Sequence, residues 1–592
     1  MNKLALTLAA GMGLCAAMAA VAQVDLPPPP PVLGPLPTAP AAPGAPALPP
    51  AAPPPNQAAP DVPNTGAAPT LITIDAGANR HLISPLIYGV AFASPDQLRA
   101  LNATLNRSGG NAETRYNWKA NATNHANDYF FESIGEKSAV PGESADTFVA
   151  ASKAGGAQPM LTVPMLGWVA KLGPNREKTA GFSVKKYGPQ PKTDPYMPDA
   201  GNGVKPDGKT DITGTDPHDA NLPATPAFQR GWLQHLTTKW GKASADGVGY
   251  YLLDNEPALW HSTHRDAHPQ GATMAEVLND TVAYAAMVKS LDPAAKTLGP
   301  EEWGWNGYLY SGADEQYGAA HHWDGAFPDR AAHGGMDYLP WLLDQLHKHD
   351  AKTGRRLLDY FTVHIYPQGG DGGDNVSPKI EQLRSRSTRA LWDPTYTDES
   401  WIKDKIMLIP RLKQWVATGY PGTKIGITEY NWGAEGSMSG ATAQADLWGI
   451  FGREGLDLAT RWTTPALASP TFKAMQMYRN YDGKKSTFGS ISVLDRVPDP
   501  DTLASFAAVR QSDGALTVMV INKALSGPTP VALSLSRFAP GATAQAWQLS
   551  GAGPITRLPD VALTGSRLAA TLPAQSVTLY VIPARKAGAG VR

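Results

Sequence analysis

The sequence predicts an α/β chain: a (β/α)8 TIM barrel beside an all-β sandwich assembled from an N-terminal strand and the C-terminal segment. Three observations predict it. Between residues 85 and 480, about eight short apolar runs alternate with helical stretches, the pattern of a parallel barrel wrapped in helices. After Tyr478 the helical pattern stops, and short alternating runs punctuated by Gly, Pro, Asn and Asp take over, as in a sandwich. The lone alternating run Leu71–Asp75 precedes the barrel pattern and has no barrel role, so it is assigned to the sandwich.

Residues 1–22 read as a secretory leader. Lys3 supplies the positive charge, Leu4 to Ala20 is largely apolar, and Ala20-Val21-Ala22 offers a small-x-small cleavage pattern. That apolar run is short and rich in Ala and Gly for a membrane span. Leu14 precedes Cys15 where a lipoprotein needs a small residue. Residues 23–69 form a Pro/Ala-rich linker. Of 54 prolines, 18 fall between Pro27 and Pro69, a composition that builds no core and favours extended polyproline. The expected destination is outside the cytoplasm: secreted, periplasmic or at the cell surface.

The N-terminal strand region is 70–84, the barrel 85–480 and the C-terminal sandwich segment 481–592. The expected barrel strands are Ile87–Phe92, Thr104–Arg107, Pro159–Pro164, Val248–Leu253, Lys296–Gly299, Tyr360–His364, Ile425–Thr428 and Leu458–Arg461. Helical stretches such as Met274–Leu291 and Tyr338–His349 separate them. The expected sandwich strands are Phe488–Leu494, Leu503–Val509, Leu516–Asn522, Val531–Leu535, Ala544–Leu549 and Ser576–Ile582.

Composition narrows the function. Lys+Arg 51 against Asp+Glu 52 leaves a formal charge of −1, so nucleic acid is not an expected partner. Hydrophobic residues make up 42% of the 592, enough for large cores. Cleavage after Ala22 removes the one cysteine, and with it disulfides, thiolate metal sites and a cysteine nucleophile.

A barrel of this kind carries its active site at the C-terminal ends of its strands. The fourth expected strand closes with Asp254-Asn255-Glu256-Pro257, and the seventh with Glu429-Tyr430-Asn431-Trp432. A single glutamate at a strand end is usually solvated or salt-bridged. Two, each after an apolar strand and beside Asn or Trp, suit paired-carboxylate chemistry on a glycosidic bond: one protonates the leaving oxygen, the other attacks the anomeric carbon.

These residues resemble the large clan of retaining glycosidases built on barrels, and within it glycoside hydrolase family 44, the endoglucanases and xyloglucanases. The likeness rests on Asn255-Glu256-Pro257 and Thr428-Glu429-Tyr430-Asn431, and on the segments Asn106–Asn111, Thr114–Trp118, Phe182–Gly188, Leu253–Pro269 and Val363–Gln368. It runs in order from about residue 71 to about residue 585. Ser108 departs from it, standing where an aromatic is expected in the cleft wall. The resemblance implies Glu256 as acid/base and Glu429 as nucleophile, with Asn255 bonding the sugar 2-hydroxyl. Arg107 would hold Glu429 ionised through a charge-assisted hydrogen bond. Tyr366 would donate to Glu429, and His364 would join the cluster or touch substrate.

All but one of the 16 tryptophans lie between Trp118 and Trp462. Most are assigned to the core, and Trp432 and Trp462 to sugar-stacking platforms, since pyranose rings offer apolar faces to aromatics. His261, His264 and His268 follow the acid closely, but no metal or other cofactor is expected in catalysis. The acidic, Gly-rich stretches Asp194–Asp216 and Asp371–Asp374 are candidates for structural Ca2+, and neither fits an EF-hand loop. The expected partner is a β-1,4-linked polysaccharide met by a monomer with no membrane span after leader cleavage. The alternatives are a xylanase or mannanase of the same clan, and a non-catalytic carbohydrate-binding surface protein. Because residues 23–69 cannot bury a core, deleting them is expected to move the melting temperature by less than about 2 °C in a calorimetric scan. A larger drop would mean that the linker packs on the body.

Overall fold

A computed structural model describes residues 68–585 apart from Asp324. The leader at 1–22 and the linker as far as residue 67 lie outside the described residues. Among those described, no helix is long and apolar enough to cross a membrane.

Eight parallel strands close into a barrel in chain order: Gly89–Ala91, Leu105–Ser108, Gln158–Val163, Tyr250–Leu253, Lys296–Glu302, Tyr360–Ile365, Lys424–Tyr430 and Leu458–Arg461. The side-chain period of two explains how the barrel is filled. Leu105, Met160, Leu252, Leu298, Tyr360 and Leu458 form one buried apolar cluster. Two residues further on, the same faces carry Arg107, Thr162, Thr362 and Thr460, all buried. The strands therefore change from apolar to polar along their length, and the polar end is the C-terminal one.

Two strands depart from regular pairing. The fifth shifts register between Pro300 and Glu302, and the sixth between Val363 and His364. Such irregularities re-aim side chains beside active sites. The expected fifth strand ends at Gly299. The observed strand continues to Glu302 because Pro300 stands where pairing is already irregular.

Outer helices are fixed by local signals. Met274–Leu291 starts at a capping box, with Thr273 and Glu276 exchanging side-chain and backbone bonds, and it buries Val277, Tyr284 and Val288. Helix Met438–Arg453 has buried residues on every side, as a helix packed between two bodies must. One face covers the barrel, and the other meets the sandwich strands Leu503–Val509, Leu516–Asn522 and Ser576–Ile582. Gly449 permits the contact, because a Cβ there would stand 2.0 Å from the Phe506 ring.

The sandwich contains the expected strands and three more, His81–Leu82, Thr556–Thr564 and Arg567–Leu572. Strand Thr556–Thr564 is mostly exposed and carries Pro559 and Asp560, so it shows no hydrophobic alternation. Strand Thr70–Asp75 lies parallel to Thr529–Ser536 and antiparallel to Ile491–Arg496. The pairings thus continue from one layer to the other through the N-terminal strand. Ile72 and Ile74 enter the same core as Val518, Val520 and Leu533.

A buried ion pair ties the sandwich to the barrel: Lys523 Nζ lies 2.7 Å from Asp446 Oδ2 on helix Met438–Arg453, and Lys523 also donates to the Pro500 carbonyl. Removing one partner leaves an uncompensated buried charge. Lys523→Ala is expected to cost about 3–5 kcal/mol, measured as a lower denaturation midpoint. No loss of stability would show that the pair is dispensable at this junction.

Candidate active site

The loop after the fourth strand is held in an unusual backbone conformation. Asp254 has φ 67° and Glu256 φ 46°, left-handed values that non-glycine residues adopt only when the surroundings over-determine them. The surroundings do so here. The buried Asp254 carboxylate accepts the backbone N–H groups of Met165, Leu166 and Asn255, the last two at 3.0 and 2.8 Å. The Glu256 N–H donates to the Glu301 carbonyl at 3.0 Å. The Ala258 N–H donates to the buried Glu302 carboxyl at 3.2 Å, and the Trp260 indole N–H to the Asn255 carbonyl at 3.0 Å.

Glu429 belongs to the seventh strand itself. Its Oε1 lies 2.6 Å from Arg107 Nη1, and its Oε2 accepts from the Tyr366 hydroxyl at 2.8 Å. His364 Nδ1 is 2.8 Å from Glu256 Oε1 and 3.6 Å from Glu429 Oε2. Its Nε2 is 3.3 Å from Glu301 Oε2, which is also 3.5 Å from Arg107 Nη2. Arg107 Nη2 donates to Asn255 Oδ1 at 3.3 Å. One carboxylate oxygen each from Glu256 and Glu429 and one ring nitrogen of His364 all lie within 4.8 Å of one another.

The two glutamates are pushed apart electrostatically. For Glu256, burial raises the pKa and the Glu429 charge adds to it, outweighing the pull of His364. For Glu429, burial acts upward as well, but His364, Arg107 and the Tyr366 hydroxyl hold its carboxyl below the ordinary range. His364 is pushed up to about 9, because Glu429, Glu256 and Glu301 overcome the effect of its burial. Counted formally, Arg107 and a protonated His364 balance Glu301 and Glu429 when Glu256 keeps its proton. A buried cluster with that balance avoids an unpaired charge.

Residues 122–369 match glycoside hydrolase family 44. The chain is 57% identical to CelM2, a bifunctional glucanase-xylanase from a metagenome library, with a TM-score of 0.86 over 87% of this chain and 99% of that one. It is 28% identical to a family 44 xyloglucanase of Paenibacillus polymyxa, with a TM-score of 0.73 over 87% of this chain and all (100%) of that one. It is 31% identical to endoglucanase A of Paenibacillus lautus over 80% of this chain. It is also 31% identical to β-mannanase/endoglucanase A of Caldicellulosiruptor saccharolyticus, over 76% of this chain. The chain spans 66% and 34% of the length of these last two relatives. The chain belongs to glycoside hydrolase family 44.

In this family 44 chain, Glu256, Glu429, Asn255, Arg107, His364 and Tyr366 come together as one cluster. Trp462 follows the eighth strand and is half-buried, with the Arg107 guanidinium 5.5 Å from its ring centre and Phe92 edge-on at 5.6 Å. Gly110, at φ 84°, lets the indole approach, since a Cβ there would be 2.6 Å from the ring. Two expectations are corrected. His364 is fully buried and has no surface to offer a sugar, so it holds the carboxylates instead. Trp432 is not a platform: it is 3% exposed, and its indole N–H is turned inward to Ser387 Oγ at 2.8 Å. Its carbonyl is pinned by the buried Arg384 guanidinium.

The expectations missed Glu301 and Glu302. Two consecutive acids after an apolar run were the available signal, hidden behind Pro300. Ser108 is buried in the second strand, and its carbonyl accepts from Thr162.

The convergence of Glu256, His364 and Glu429 resembles a metal-ligand set, the one such set among the described residues. In that set His364 Nδ1 is hydrogen-bonded to Glu256 and its Nε2 to Glu301. His268 pairs with Glu276 at 2.8 Å. Asp194 and Glu132 share the Lys178 ammonium, at 3.5 and 2.9 Å, and Asp371 accepts the Gly369 N–H.

The elevated His364 pKa is directly measurable. Its ring is expected to stay protonated until the pH approaches about 9, followed by imidazole NMR. In Glu429→Gln, which removes the largest charge favouring the protonated ring, the midpoint should fall. An ordinary His364 pKa in the unmodified protein would contradict the charge arrangement.

Proposed function

We propose that the chain is an exported endo-β-1,4-glucanase with xyloglucanase activity, acting as a monomer and hydrolysing with retention of configuration. The observation that carries this reading is the close approach of Glu256 and Glu429 with oppositely displaced pKa values. Retaining glycosidases place their carboxyl groups about 5–5.5 Å apart, whereas inverting ones leave about 6.5–9.5 Å for a water. The short separation here supports direct attack.

In the first step Glu256 gives its proton to the glycosidic oxygen as that bond breaks, and Glu429 forms a bond to the anomeric carbon. Arg107 and Tyr366 orient Glu429 and keep it ionised until it attacks. In the second step Glu256, now a carboxylate, takes a proton from water, whose oxygen displaces Glu429 and regenerates both groups. Asn255, beside both carboxylates, faces the 2-hydroxyl adjacent to the reacting carbon. Trp462 supplies the stacking face. Both steps run on side chains, so no catalytic cofactor enters the scheme; bound Ca2+ would serve structure. The names of the solved glucanase-xylanase and xyloglucanase relatives support a glucan backbone. The names of the glucanase-xylanase and the β-mannanase/endoglucanase also favour a second reading in which xylan or mannan is cleaved.

NMR of the first product from barley β-glucan or xyloglucan is expected to show the β-anomer; an α-anomer would reject retention. Glu256→Ala should lose roughly 10²–10⁴-fold on polysaccharide, lose much less on an aryl glycoside with a good leaving group, and regain turnover with azide. The pH dependence of kcat/KM should be bell-shaped. Its acid limb reports Glu429 below the usual carboxylate range, and its alkaline limb reports Glu256 above it. On the aryl glycoside, Glu256→Ala should lose the alkaline limb and keep the acid one.

A further inference from the structure

One carboxylate near the reacting pair is not used by this mechanism. Asp128 ends the short turn Ala126–Asp128 and is solvent-exposed, yet it lies within electrostatic reach of both Glu256 and Glu429. It is joined to Glu429 by a continuous chain of hydrogen bonds. Asn111 Nδ2 donates to Asp128 Oδ1 and Oδ2 at 3.2 and 3.1 Å. Asn255 Nδ2 donates to Asn111 Oδ1 at 3.1 Å, and Arg107 bridges Asn255 to Glu429.

The segment carrying Asp128 is held in place. The Ala126 N–H donates to Asn124 Oδ1 at 2.9 Å, and Asn124 Nδ2 donates to the Phe131 carbonyl and to Ser133 Oγ. Arg265 reaches Asn127 Oδ1 at 3.3 Å. Asp128 therefore projects from a pinned turn. A carboxylate offers about four lone-pair directions, and Asn111 donates to each oxygen once, so acceptor capacity remains open to solvent.

We propose that Asp128 is a substrate-contact residue, accepting a hydrogen bond from the 3-hydroxyl of the same pyranose whose 2-hydroxyl meets Asn255. This rests on the glucan-cleaving reading above. The anomeric carbon must lie between Glu256 and Glu429, so the 2-hydroxyl faces the amide beside them. The 3-hydroxyl is the next group along that edge of the ring, as Asp128 is the next group beyond Asn255, one carboxamide away. The pair Asn255 and Asp128 thus reads the vicinal 2,3-diol, the first through a neutral amide and the second through a charge. Glucose and xylose present both hydroxyls equatorially, whereas mannose turns its 2-hydroxyl axial and keeps only the Asp128 contact unchanged.

The test is a cycle between protein and substrate, using 4-nitrophenyl β-cellotrioside and its analogue lacking the 3-hydroxyl on the ring that bears the nitrophenol. Asp128→Ala should lower kcat/KM on the full substrate by roughly tenfold or more, the range for a hydrogen bond to a charged group. The deoxy analogue should cost the unmodified enzyme a similar factor and cost Asp128→Ala almost nothing further. Asp128→Leu, which removes both acceptor oxygens at similar volume, gives the same comparison should the alanine variant fold poorly. Losses that multiply would mean that Asp128 acts only by holding Asn111, and would overturn the proposal, as would an unaffected variant. An unmodified enzyme that leaves the cellotrioside intact rejects the glucan reading and this contact with it. Turnover of the cellotrioside with multiplying losses rejects the contact alone.

Discussion

The buried guanidinium of Arg107 is the interaction on which the site depends. It is fully enclosed, 2.6 Å from Glu429 and 3.5 Å from Glu301, and a charge in that position persists only with partners. Arg107 in turn makes the ionised state of Glu429 affordable inside the barrel. His364 repeats the logic from the sixth strand, with one ring nitrogen toward Glu256 and the other toward Glu301. Two cations shared among three carboxyl groups leave one proton in place, and it falls to Glu256, which faces His364 but is not paired with Arg107. The opposite displacement of the two glutamate pKa values is thus a consequence of charge balance in a confined volume.

That balance requires precise placement, and the backbone provides it at some expense. Asp254, Glu256 and Glu301 all have positive φ, and all three stand at strand ends facing the cluster. Strain of this kind survives where hydrogen bonds over-determine the chain. Asp254 and Glu302 do so with their carboxyl groups, acting as acceptors for backbone N–H groups rather than as reacting acids. Burial keeps Glu302 far above the usual carboxylate range, with Glu315 adding to the effect. It can therefore sit behind Glu256 without contributing a further negative charge.

The sandwich matters to the site through helix Met438–Arg453. This helix follows the seventh strand, which carries Glu429, and is clasped between the barrel and the sandwich. The Gly449–Phe506 approach and the Lys523–Asp446 pair fix its position. Arg461, before Trp462, reaches the loop after that strand through Asn431 and Glu435. Trp462 and Glu429 are therefore positioned relative to each other by the hydrogen bonds of the buried Arg461.

The sequence by itself determined the barrel, the sandwich and the two glutamates that the strand ends bring together. Each is written in a local pattern: apolar runs with period two, caps and turns, and a glutamate directly after an apolar run. Thr70–Asp75 was legible as a strand because it alternates, whereas Thr556–Thr564 was not, because an exposed strand carries no alternation. Tertiary structure alone decided what each polar residue faces. His364 and Trp432 look from sequence like cleft residues, but a register shift turns His364 beneath the carboxylates, and the Ser387 hydroxyl draws the Trp432 indole inward. Glu301 and Glu302 show in sequence only as two acids behind a proline, and Asp128 carries no motif, since their partners lie 17 to 63 positions away: Asn111 for Asp128, Ala258 for Glu302, and Thr362 and His364 for Glu301. Periodicity records which way a strand residue points, and only closure of the barrel brings the eight strand ends together and sets their charges against one another.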